Sequence, residues 1–249
     1  MEPGNRAIAL LKDKLDSHGA LDAEDRAAID RIPVVTRNYE PGQYLLREGD
    51  RPKTCGLLMS GFVYRHKIVG DGGRQIVSIH ISPDLLDVQQ LLLAEADHNV
   101  QALTLASVLV MQIDDVIAVA IERPAVALAL WRQSLVDASI VREWVANIGR
   151  RDARARTAHL LCELAVRHDV AGLGYRRVFE LPMTQEQLGD ALGLTAVHIN
   201  RTLKTLETDG VITRSKRSVT VADWNRLRTI GDFSSTYLHP REVIAAHRN

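Results

Sequence analysis

Apolar and polar residues change rhythm three times along this chain. Up to residue 32 the apolar positions fall at helical spacing. Ile8, Leu11 and Leu15 come first, and Leu21-Asp22-Ala23-Glu24-Asp25 opens a second short helix. From Val34 to Ile113 the apolar runs shorten and turns separate them. Tyr39-Glu40-Pro41-Gly42-Gln43 is a turn before Tyr44-Leu45-Leu46, and Glu48-Gly49-Asp50 is another before Cys55-Gly56-Leu57-Leu58-Met59. Ser60-Gly61 breaks the chain ahead of Phe62-Val63-Tyr64-Arg65, and Gly70-Asp71-Gly72-Gly73 is a hairpin loop before Gln75 to Ile79. Ala102 to Ile113 closes the region. Many short strands with glycine turns predict a barrel or roll.

After Ile113 helical spacing returns. Asp114 to Ile121 predicts a short helix, and Pro124 suits the first turn of a longer one reaching Gly149. Along it Ala127, Trp131, Ser134, Ala138, Val141, Val145 and Ile148 alternate steps of four and three, which is a heptad seam. Leu128 and Leu135 form a second row, expected to pack against the β region. A helix that buries both rows in its own domain is the alternative. Asn147 to Arg151 is a candidate hinge, Thr157 to Arg167 another helix, and 170–177 a loop.

Residues 184–207 read as two helices joined by a tight turn. Thr184 with Gln187 is a capping box. Leu188, Ala191 and Leu192 give one apolar face, Gly193 the turn, and Thr195 a cap for a second helix with Ile199, Leu203 and Leu206 inward. That helix presents Ala196, Val197, His198, Asn200, Arg201 and Lys204 away from the core. Such a helix fits the major groove of DNA. Beyond it, Gly210 to Arg214 and Val219 to Val221 read as strands around a basic turn, Ser215-Lys216-Arg217-Ser218. Asp223 caps a last helix over 224–230.

Composition sharpens this division. The chain has 249 residues and no net charge, but residues 1–150 hold 16 Lys/Arg against 20 Asp/Glu, and 151–249 hold 15 against 11. The basic half carries the helix-turn-helix, as nucleic-acid binding requires. No run approaches 18 apolar residues and no signal-peptide core opens the chain, so no membrane partner is expected. Cys55 and Cys162 are far apart in sequence, which argues against a disulfide framework or zinc site and for a reducing, cytoplasmic setting. The chain holds no nucleophile motif, phosphate-binding glycine loop or HExxH. His159 and His168 lie near Glu163 on a helix, but the His159-to-Glu163 spacing with no third ligand is poor metal evidence. No enzyme activity and no metal site are expected.

The series Glu40-Pro41-Gly42, Arg47-Glu48-Gly49-Asp50 and Leu57-Leu58-Met59-Ser60-Gly61-Phe62-Val63 resembles the β-roll of the cAMP receptor protein/FNR (Crp/Fnr) superfamily of bacterial transcription regulators. The helix-turn-helix resembles the winged helix of the same superfamily, in the same order and spacing, and the likeness covers roughly residues 20–230. It implies an α+β chain with a cyclic-nucleotide-binding-like double-stranded roll, a long dimerisation helix and a C-terminal winged helix-turn-helix. The expected domains are 1–121 for N-terminal helices and roll, 122–150 for dimerisation helix and hinge, 151–231 for the DNA-binding domain, and 232–249 for a tail with no assigned role. The implied function is sequence-specific regulation of transcription by a homodimer on a palindromic operator, with double-stranded DNA and RNA polymerase as partners. Trp131, Ser134, Ala138, Val141, Val145 and Ile148 then form a parallel helix pair. A roll whose winged helix docks another protein is the alternative.

Arg201 is the first candidate for base readout, because a guanidinium reaches guanine O6 and N7 in bidentate fashion. The matching family position is an arginine with that role. Asn200 can pair an adenine edge, and His198 a purine or a phosphate. Ala196 and Val197 stand where the best-known members carry arginine and glutamate, so they offer only apolar contact and the half-site must differ. Thr184, Gln185, Thr195, Lys204, Arg214, Lys216 and Arg217 are candidates for phosphate contact.

The family's nucleotide anchors are a Gly-Glu pair for the ribose and an Arg-Ser or Arg-Thr pair for the phosphate. Here Asp87-Val88 and His98-Asn99 stand in those places, and Asp84, Glu95 and Asp97 add negative charge. No cofactor is expected: cAMP is disfavoured, and two cysteines fall short of an iron–sulfur ligand set. Haem on His66, His80 or His98, a redox role for Cys55, and another small effector stay open.

Overall fold

The computed structural model describes residues 3–173 and 177–240. Residues 174–176 of the expected loop, and 241–249 of the tail, lie outside the described residues. The chain divides into two compact units, 1–66 with 79–138 and 67–78 with 139–249.

The first unit opens with α1 (Pro3–Asp16) and α2 (Ala23–Asp30), the latter started by a capping box between Asp22 and Asp25. Eight strands come next: β1 (Val34–Tyr39), β2 (Tyr44–Leu46), β3 (Thr54–Ser60), β4 (Phe62–Ile68), β5 (Arg74–Ile81), β6 (Leu85–Leu86), β7 (Asn99–Ala102) and β8 (Ala106–Gln112). They form two four-stranded sheets, in the orders β1-β8-β3-β6 and β2-β7-β4-β5.

The two-residue period of a strand sorts the core. On β3 Leu57 faces one way and Leu58 the other, and β8 does the same with Leu109 against Val108 and Val110. Leu58, Val108 and Val110 meet Val63, Val100 and Leu46 of the second sheet. Leu57 and Leu109 join Leu11, Leu15 and Ile29 of the helices, with Val126, Ala129 and Leu130 further on. One sheet is thus covered on both faces, which is why β3 and β8 read as nearly unbroken apolar runs. Truncating Leu57 or Leu109 to Ala is expected to cost about 2–5 kcal/mol.

α3 (Ile113–Glu122) leads to α4 (Pro124–Arg150) and then α5 (Ala153–Val170). The division between units falls inside α4, after Ala138. The reason is local: Trp144 Nε1–H donates to Glu163 (2.9 Å) and Asn147 Nδ2–H to the Arg156 carbonyl (3.3 Å), so the end of α4 packs with α5.

Leu128 and Leu135 do not pack on the roll, contrary to expectation. They are 60% and 54% exposed, and Val126, Ala129, Leu130 and Val136 take the buried side. Leu128, Trp131, Leu135, Ala138 and Val145 instead share one exposed stripe with Val141 beside it. Ser134 is half-buried, as is Ile148, whose Cγ2 lies near Gly193.

Besides α5, the second unit contains β9 (Val178–Glu180), α6 (Gln185–Leu192), α7 (Ala196–Thr208), β10 (Ile212–Ser215), β11 (Ser218–Val221) and α8 (Trp224–Ile230). Its sheet runs β10-β11-β9. Residues 67–78, the end of β4, the loop and most of β5, belong to this unit, and there Arg74 Nε–H donates to Asp190 of α6 (2.8 Å). The tail is irregular by its sequence, yet Phe233 is buried and Ser235–Leu238 form a turn of 3-10 helix.

Candidate nucleic-acid interface

α6 starts as its residues dictate. Thr184 Oγ1 accepts from the Gln187 N–H (3.1 Å), and Gln187 Oε1 accepts from the Thr184 N–H (2.9 Å). Gly193 ends it at φ 62, a left-handed conformation that favours glycine. Gly189 permits the tight crossing: a Cβ there would lie 2.4 Å from the Leu194 carbonyl oxygen. Ala191 is fully buried, the small residue expected at this crossing. Thr195 caps α7 by accepting from the His198 N–H (3.3 Å).

Ile199, Leu203 and Leu206 bury one face of α7. Geometry then forces Ala196, Val197, His198, Asn200, Arg201 and Lys204 outward, and all six are exposed, Val197 by 79%. Arg201, Lys204, Lys216 and Arg217 have no ion-pair partner among the described residues. Most guanidiniums around them are tied down. Arg154 pairs with Asp209, Arg226 donates to the Asp209 carbonyl (2.7 Å), and Arg156 to that of Leu192 (3.0 Å).

Two candidates behave differently from expectation. Arg214 turns back to Glu207 of α7 (2.6 Å), a hydrogen bond that holds the Glu207 carboxyl below its ordinary pKa. It ties the wing to α7 through its Nη2. Gln185 accepts from Asn200 Nδ2–H (3.2 Å), which fixes the Asn200 amide. Fifteen residues separate that pair, and neither residue forecasts the other in sequence. Lys216-Arg217 form the two-residue tip of the β10–β11 hairpin, exposed, with Lys216 at φ 54.

The roll holds its own polar cluster. Asp87 is buried at φ 60, with His98 Nε2 at 3.3 Å and Arg65 Nη2 at 3.5 Å. His98 Nδ1 lies 2.6 Å from Asp97 Oδ1, so both its ring nitrogens face carboxylates. Burial works to raise the Asp87 pKa, but the His98 hydrogen bond and the Arg65 charge outweigh it and hold the carboxyl below its ordinary value. Burial lowers the His80 pKa, against the pull of Asp84, whose Oδ2 lies 3.6 Å from its Nδ1. Burial also pushes the thiols of Cys55 and Cys162 up to about 12, so neither is a thiolate at neutral pH. No group of three or more metal-ligating residues occurs among the described residues, and no helix there is long and apolar enough to cross a membrane.

Residues 155–230 match the Crp-like helix-turn-helix domain, and residues 36–122 match the cyclic nucleotide-binding domain. The transcriptional activator protein FnrL of Cereibacter sphaeroides is 30% identical over 212 residues, 83% of this chain and 84% of that one. The nitrogen fixation regulation protein FixK of Azorhizobium caulinodans is 26% identical over 229 residues, 92% and 90% of the two chains. The structure of FixK2 from Bradyrhizobium japonicum superimposes with a TM-score of 0.75 at 23% identity, covering 82% of this chain and all of that one, a likeness of fold.

Proposed function

Since this chain belongs to the Crp/Fnr superfamily of transcription regulators, we propose that it works as a homodimer that inserts two copies of α7 into successive major grooves of a palindromic operator. Arg201, exposed and without an ion-pair partner among the described residues, carries this reading. A cation so placed on the open face of a helix is positioned for a guanine edge. Asn200, His198, Val197 and Ala196 complete the reading surface. Thr184, Gln185, Thr195, Lys204, Lys216 and Arg217 contact phosphates.

Dimerisation uses the α4 stripe. Leu128, Trp131, Leu135 and Val145 are all more than half exposed, a row of apolar side chains that a second α4 covers. The protein acts in the cytoplasm and contacts RNA polymerase from a DNA-bound position. The roll works without a cyclic nucleotide. Asp87 stands where the ribose anchor is expected and is engaged by Arg65 and His98, and a phosphate there meets carboxylates in place of the usual arginine.

Selection of bound sequences from a random DNA pool tests the whole reading. Two inverted half-sites about one helical turn apart are expected, with no change on adding cAMP. A pool that enriches no inverted repeat removes the dimeric-operator reading.

A further inference from the structure

α4 and α5 meet at a buried carboxylate. Glu163 of α5 is fully buried. A carboxylate there needs several donors to offset lost hydration. Trp144 Nε1–H of α4 donates to its Oε2 (2.9 Å), Arg167 of α5 donates to its Oε1 (3.2 Å), and the third donor comes from the tail: Tyr237 O–H to Oε2 (2.9 Å).

The tail is fitted along this joint. Gly231 runs so close to α5 that a Cβ would lie 2.8 Å from the His159 nitrogen. His159 Nδ1–H donates to the Gly231 carbonyl (3.0 Å), and its ring lies stacked with Tyr237 and edge-on to Phe233. Arg151, in the link between the two helices, bonds Glu143 of α4 (2.9 Å) and the Asp232 carbonyl of the tail (3.2 Å). Three elements thus share one polar network, and the tail contributes a donor, two carbonyl acceptors and two rings.

We infer that residues 231–238 are a strap which, through Tyr237 and Glu163, fixes the angle between α4 and α5 and thereby the operator half-site spacing the protein accepts. α5 packs against α6 and α7, so its angle to α4 determines where α7 stands relative to the dimerisation helix. The inference rests on the dimeric-operator reading above. Glu163 and Tyr237 are positioning residues, since neither reaches DNA.

The test compares the full chain with Tyr237→Phe, Glu163→Gln and a chain stopped after Gly231. Affinity is measured for the selected operator, for operators with the half-sites moved one base pair closer or further, and for a single half-site. Wild type should discriminate against the altered spacings. Tyr237→Phe should cut that discrimination roughly tenfold, the low end of what loss of one hydrogen bond to a charged group implies, and the stopped chain should cut it further. Single half-site affinity should stay unchanged, which a merely unfolded variant could not do. If Tyr237→Phe keeps wild-type spacing discrimination, the strap is overturned even should the stopped chain fail to fold. If wild type itself ignores spacing while binding one half-site, the dimeric reading falls and takes this inference with it.

Discussion

The interior of the roll and the open face of the winged helix handle charge in opposite ways. The roll encloses it: Asp87, Arg65 and His98 lie together inside, each facing an opposite partner. The winged helix displays it: Arg201, Lys204, Lys216 and Arg217 stand in solvent without ion pairs among the described residues. A buried pair is strong only while both partners remain, because either one alone is an uncompensated charge in a poor dielectric. An exposed cation contributes little to folding and is free to act on something outside the protein. The same residue types therefore serve cohesion where the fold pairs them and recognition where it leaves them in solvent.

The sharpest way to break the contrast is Asp87→Ala. It removes the carboxylate that Arg65 and His98 share, leaving each with a single one, Asp137 at 3.8 Å from Arg65 and Asp97 at 2.6 Å from His98, and should cost about 2–3 kcal/mol in urea or thermal unfolding. A loss under ~1 kcal/mol would mean that water reaches the cluster and that the roll does not enclose charge as described. Arg201→Ala should leave folding unchanged. It should lose roughly 1–3 kcal/mol of discrimination between operator and scrambled DNA, while much of the salt-dependent binding remains. Undiminished discrimination would move base readout away from Arg201.

A pH series sharpens the comparison from the protein side. Burial lowers the pKa of His18 from 6.5 to about 4, and also lowers those of His80, His159 and His168. The unfolded chain therefore takes up protons that the folded chain refuses. Stability is full above pH 6.5 and falls as pH drops towards 4. The melting temperature should be lower at about pH 5 than at about pH 7.5, and one that stays level would place these histidines in contact with water. The smallest effect is expected for Lys216→Ala. Binding should weaken evenly across sequences, and the slope of log affinity against log salt should fall by about one unit. A sequence-selective loss would make Lys216 a base reader.

Much of this was legible because local chemistry decides it. Thr184 with Gln187 announces α6, Gly193 ends it, and the spacing of Ile199, Leu203 and Leu206 fixes which face of α7 is outside. Once that face is known, Arg201 has nowhere to point but away from the core. Other features depend on partners remote in sequence. The heptad rule places Leu128 and Leu135 against the roll, because periodicity gives rows but not which row is covered. Arg214 reads as a wing cation, and only the folded chain brings it to Glu207, seven residues earlier. Residues 231–238 carry no strong pattern. Their role depends on Glu163, 74 residues before Tyr237.

By itself, then, the sequence determined the order of elements, the roll-then-helix-turn-helix plan and the outward face of α7. These come from periodicity, capping and turn residues, all read within a few positions. Only the tertiary structure decided which side of α4 stays open, which arginines are already paired, how Asp87 is neutralised and that the tail closes on the α4–α5 joint. Those outcomes turn on whether a charge or an apolar row meets a partner, and partners are brought together by the fold from anywhere along the chain.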